Sequence, residues 1–150
     1  MGQPLEGILE QLQERIYDAL RAQHDLQKVA IAIRKRSSLE LFCEQLIQQS
    51  LGEGIFIDTP LPKVIVSGVP GPVYQEIAFA VQVIENVATN ESGSSGILVA
   101  EKIAHHLHLR EFVFGDQSWI VSCREKDPWQ FEGDAFKNTI TLHFTTMYSF

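Results

Sequence analysis

The chain has 150 residues, 45% of them apolar and 21% charged, with a net charge of −7. That length suits one domain burying roughly 70% of the surface its unfolded chain exposes, and the composition excludes disorder of the whole. The acidic balance speaks against a nucleic-acid-binding face, sequence-specific binding included, since the one basic cluster is Arg34, Lys35 and Arg36.

In chain order, Leu5, Ile8, Leu9, Leu12, Ile16, Ala19 and Leu20 repeat at helical spacing and predict a helix over about residues 4–23, with Pro4 at its first position. Residues 29–34 alternate Val29, Ile31 and Ile33 with Ala30 and Ala32, the pattern of a short strand that is central or covered on both faces. Ser37 and Glu40 stand at capping-box spacing ahead of Leu39, Phe42, Cys43, Leu46 and Ile47, the buried stripe of a helix over about 38–49. Gly52 and Gly54 are expected to end that helix. Residues 55–57 form a short buried strand. Residues 59–72 hold Pro60, Pro62, Gly68, Pro70, Gly71 and Pro72 and read as an irregular arm, within which 63–67 make a poor central strand.

A long strand follows over about 73–86. Ile77, Phe79, Val81 and Val83 lie on its core face; Ala78, Ala80, Gln82 and Ile84 form a milder face for solvent, a helix or a partner. After a Ser/Gly loop over 87–96, Ile97, Ala100, Ile103, Ala104 and Leu107 mark a helix over about 97–109, capped by Ser94 or Ser95. Two strands close the chain. Residues 119–124 alternate Trp119, Val121 and Cys123 with Ile120, Ser122 and Arg124. Residues 136–148 set Ile140, Leu142 and Phe144 against Thr139, Thr141, His143 and Thr145, an antiparallel pattern with one open face. Asp127-Pro128-Trp129 and Glu132-Gly133-Asp134 between them read as turns. The order predicts a single α+β domain over 1–150: a mixed, mostly antiparallel sheet with about three helices packed largely on one face.

Cys43 falls on a helix stripe and Cys123 on a strand, without CxxC or metal spacing. Two buried free thiols in a reducing compartment are expected, a single disulfide being the alternative. No apolar run approaches the roughly 20 residues of a membrane helix, and Met1-Gly2-Gln3-Pro4-Leu5-Glu6 lacks the pattern of a signal peptide. The expectation is a product that stays in the cytosol, with no membrane partner.

His105, His106 and His108 lie near the end of the third helix. His105 and His108, three residues apart, are the candidates for a zinc or nickel site. No carboxylate or cysteine stands at ligand spacing beside them, and imidazoles interact well with a helix C-terminus, which favours plain surface histidines and no metal. The Ser92-Gly93-Ser94-Ser95-Gly96 loop joins a strand to a helix, where backbone N–H groups can cradle an anion, but it lacks the Gly-Lys-Ser/Thr ending of a phosphate loop. Gly-x-Ser-x-Gly, an activated cysteine and paired carboxylates are all missing, so neither an enzyme nor a cofactor is expected. The threonine face and the terminal Met147-Tyr148-Ser149-Phe150 suit a subunit contact or strand addition, with an ordinary solvent face as the plain alternative.

Several strings carry a resemblance. The long strand ends in Glu85-Asn86-Val87-Ala88-Thr89-Asn90; the third helix ends in Leu107-His108; Asp127-Pro128 follows a strand; and the last strand reaches Phe144-Thr145-Thr146. With the order of elements, these resemble the tail terminator or tail completion proteins of long-tailed phages and their prophage relatives, most closely from Val73 to Thr146. The resemblance implies a structural virion-assembly subunit that forms a homo-oligomeric ring, often a hexamer. It caps the tail tube, stops its polymerisation and presents the head-joining surface. The implied partners are tail-tube and head-completion proteins, and the implied place is the virion tail after synthesis in the bacterial cytoplasm. Ring closure needs unlike patches on neighbouring copies. The candidates are the arm (Pro70, Pro72), the loop after the long strand (Asn86, Asn90) and the terminal strand (Thr141, Thr145, Tyr148). The acidic charge would suit a lumen through which DNA slides. The alternative function is a small-ligand or anion-binding domain using the Ser/Gly loop before the third helix.

Overall fold

A computed structural model describes residues 5–65, 74–89, 95–115, 117–123, 129–133 and 136–149. Helix α1 (Leu5–Arg21) turns Leu12, Ile16, Ala19 and Leu20 into the core. The Arg21 guanidinium then donates to the carbonyls of Leu26, Gln27 and Val29 at 2.8, 2.9 and 3.0 Å, stitching down the 3-10 turn His24–Leu26. The chain enters β1 (Ala30–Ile33), crosses over through α2 (Leu39–Gln48) and returns as β2 (Glu53–Ile57), parallel to β1. β1 lies at the sheet edge but is covered on both faces, by α1 on one and α2 on the other.

Small residues let α2 approach. Ala30, Ala32 and Gly54 lie under it, and a Cβ at Gly54 would stand 2.7 Å from Leu46 Cδ1 and Phe42 Cζ. Both ends of α2 depart from expectation. Its N-cap is Ser38, whose hydroxyl accepts the Leu41 N–H at 3.2 Å, one residue later than the Ser37–Glu40 spacing suggests. The helix stops before either glycine: Ser50, at φ 54, takes the left-handed position, its N–H donating to Ile47 O and that of Leu51 to Leu46 O at 3.2 and 3.0 Å. This is a Schellman ending with serine where glycine is usual.

The sheet is built on a ribbon of two 13-residue strands, β4 (Tyr74–Asn86) and β8 (Lys137–Ser149), paired over their whole length. Each flank is a strand in two pieces. β2 and β3 (Leu61–Ile65) run along the outer edge of β4, and the register between them slips by one residue, as a bulge at 58–60 requires. Pro62 is tolerated because β3 pairs with β4 alone. The first part of the expected arm is therefore strand; residues 66–72 lie outside the described residues. β6 (Gln117–Cys123) and β7 (Gln130–Gly133) run along the outer edge of β8. β5 (Arg110–Phe114) pairs with β6 and closes the order β1-β2-β4-β8-β6-β5. One pair, β1–β2, is parallel and the rest are antiparallel, so the sheet is mixed and mostly antiparallel.

α3 (Ser95–Leu107) joins α1 on one face, where Val99, Ala100, Ile103 and Leu107 meet Phe79, Val81, Ile140, Leu142 and Phe144. Ile97, expected inward, is 44% exposed; Gly96 takes the inward place beside Ile140. Among the described residues, α2 alone packs on the opposite face, over Phe56 and Ile84. Cys43 is buried on the inward side of α2 and Cys123 is half-buried on β6, and the two are not joined in a disulfide.

Candidate interaction surface

The pairing register fixes which side chains share the second face. Four cross-strand pairs, Ala78–Thr145, Ala80–His143, Gln82–Thr141 and Ile84–Thr139, run along the central ribbon. At one end Gly54 pairs with Ile84 and Phe56 with Gln82, and α2 roofs them. At the other end a row runs Leu61, Ala78, Thr145, Ser122 across four strands. Val113 and Ile120 extend that face on β5 and β6 at 49% and 52% exposure. Among the described residues no helix packs on this half.

The uncovered half is concave. Ala78 and Ala80, small residues inside a strand of large ones, floor a groove of about 520 Å³ walled by Leu61, Arg34, Asp58 and His143. The Arg34 guanidinium pairs with the Asp58 carboxylate and lies 5.0 Å from the centre of the Phe56 ring. A second hollow of about 300 Å³ is lined by Ser118, Ile120, Ser122, Thr145 and Thr146. Gln82 Oε1 and Thr146 Oγ1 are buried without a hydrogen-bond partner.

The sequence candidates separate on this frame. Thr141 and Thr145 lie half-buried on the second face, as their alternation requires. Tyr148 is in β8 opposite Gln75, with its side chain outside the described residues. Pro70, Pro72 and Asn90 also lie outside them. Asn86 turns inward at 3% exposure: its Oδ1 accepts the Ala88 N–H at 3.1 Å and its Nδ2 reaches Leu46 O at 3.5 Å. That amide ties the turn after β4 to α2 and is not offered to a neighbour.

Glu85, which pattern reading passed over, is the central polar group of this end of the fold. It is 2% exposed, yet its Oε2 accepts the Gly96 N–H at 2.7 Å and its Oε1 accepts the Asn138 Nδ2 at 2.9 Å. A carboxylate thus occupies the first turn of α3, where an anion held by the Ser/Gly loop would have to sit. Its one sequence signal is an acid following the apolar run that ends at Ile84.

The histidines do not converge. His105 is exposed, His106 Nε2 meets Asp25 Oδ1 at 2.9 Å, and His108 Nδ1 accepts the Cys123 N–H at 3.0 Å. The hydrogen bond from His106 holds the Asp25 carboxyl below its ordinary value of 3.8, with Lys102 adding to the effect. Among the described residues no three His, Cys, Asp or Glu side chains gather as metal ligands. The basic cluster is spoken for: Arg34 pairs with Asp58, Lys35 with Glu10 and Glu14, and Arg36 with Glu14 at 2.6 Å. No helix among the described residues is long and apolar enough to cross a membrane. No known family pattern matches the chain, and no curated protein matches it.

Proposed function

We propose that this chain is a structural assembly subunit, working through contacts between copies rather than through chemistry, in the manner of the phage tail terminators its sequence resembles. The observation that carries the reading is the uncovered half of the second sheet face. It combines small and hydroxyl side chains with the exposed apolar groups Leu61, Val113 and Ile120. Such a surface suits packing against a protein neighbour better than it suits gripping a small ligand, which needs an enclosed pocket with converging polar groups. A ring at the tail-tube end, joining tube to head, is the assembly this reading assigns. Unlike patches of successive copies would meet there.

Light scattering coupled to size-exclusion chromatography, with and without isolated tail tubes, tests it. The expected result is a concentration-dependent oligomer or a tube-bound species of several copies. A protein that stays monomeric at high concentration and ignores tubes contradicts it.

A further inference from the structure

The junction between α3 and β5 contains a hydrogen bond that exists in only one protonation state. β5 and β6 pair Arg110 with Val121. Two residues further along that register, Cys123 comes opposite His108, where the chain is leaving the helix. There the Cys123 N–H donates to His108 Nδ1 at 3.0 Å. Leu109 between them has φ 61, a left-handed conformation rare for a leucine, and its N–H donates to Val121 O at 2.7 Å. Two hydrogen bonds therefore tie this turn to β6, and one of them ends on an imidazole.

A ring nitrogen accepts only while it carries no proton, so the geometry gives His108 the tautomer with its hydrogen on Nε2. A second proton would turn Nδ1 into a donor facing a donor. We propose that His108 is a pH-sensitive latch: neutral, it holds the end of β6 to the end of α3; protonated, it lets go. The inference stands on this geometry and not on the assembly reading.

The charged and titratable groups around the latch come from three elements. On α3, His105 and Glu101 are exposed one and two turns back, and His106, its ring 5.5 Å from that of His105, is held by Asp25 with Lys102 beside it. On β5, Arg110 stands at the strand start with its guanidinium 5.8 Å from the Phe112 ring centre. On β6, the Cys123 thiol packs against the core. Release loosens the end of β6 alone, because Phe112, Trp119 and Val121 keep the β5–β6 hairpin, the outermost edge of the sheet, in the core.

Nitrogen-15 spectra of the imidazoles and amide exchange of the full chain, expressed as protection factors, test the latch. At neutral pH, His108 should show an unprotonated Nδ1. Between about pH 7.5 and 5 the protection of Cys123 should fall roughly five- to tenfold, the worth of one hydrogen bond. His108→Asn places a non-titrating acceptor near the Nδ1 position and should keep full protection at both pH values, whereas His108→Leu should be unprotected at both. His105→Gln should respond as the unaltered chain does. A proton on Nδ1 at neutral pH, a flat response in the unaltered chain, or an undiminished response in His108→Asn would each overturn the proposal.

Discussion

Asp25 shows how a single exposed pair leaves a pH signature. Its carboxyl is held below 3.8 chiefly by the hydrogen bond from His106. A carboxyl depressed in the fold binds its proton more readily when the chain unfolds. The stability it contributes is therefore complete above the unfolded value and is lost as pH falls through the folded one. The unaltered chain should lose more of its urea resistance than Asp25→Asn between about pH 5 and 2. Parallel curves for the two proteins would show that the pair contributes nothing. The salt bridges of Arg36 and Lys35 lie at the surface, where such pairs are worth little, so no comparable signature is expected from them.

Among the elements, the clearest coupling is the meeting of β4, α3 and β8 at Glu85. Replacing it with alanine leaves the Gly96 N–H and the Asn138 amide without their acceptor in a buried place, at a cost of about 2–3 kcal/mol. Gly96 belongs to the same arrangement, since a Cβ there would lie 3.0 Å from the Glu85 carboxylate. Urea denaturation of Glu85→Ala, compared with the conservative Glu85→Gln, checks this; equal stability of Glu85→Ala and the unaltered chain would contradict it. Elements with strong periodicity were legible in the sequence. The α1 stripe from Leu9 to Leu20 and the alternation of β4 and β8 fall where their residues place them, and so do Thr141 and Thr145, whereas Ile47, expected in the buried stripe of α2, is 46% exposed at that helix's last turn. β5 was missed although Phe112 and Phe114 alternate with Glu111 and Val113, because the preceding helical pattern was carried past Leu107 to Leu109. β7 carries no such signal. All four of its residues are exposed, so its backbone pairing with β8, and not burial, makes it a strand. The concave half-face was only half visible: Ala78 and Ala80 marked a mild face, but which part α2 would cover depends on the crossover between β1 and β2, a long-range matter.

At the scale of the molecule, α1 and α3 cover one face of the sheet, and among the described residues the other face carries a helix only over its β1–β2 end. A protein of this size ordinarily covers such a face or uses it. The direct test is to place a charge in the groove without touching the core. Ala80→Arg sits on the floor beside His143, where the side chain reaches solvent, and should leave thermal unfolding nearly unchanged. Co-sedimentation with tail tubes, measured for both proteins, then decides. The account predicts that the unaltered chain pellets with tubes and Ala80→Arg remains in the supernatant. Equal pelleting of the two would contradict it, as would pelleting of neither by a chain that also stays monomeric at high concentration.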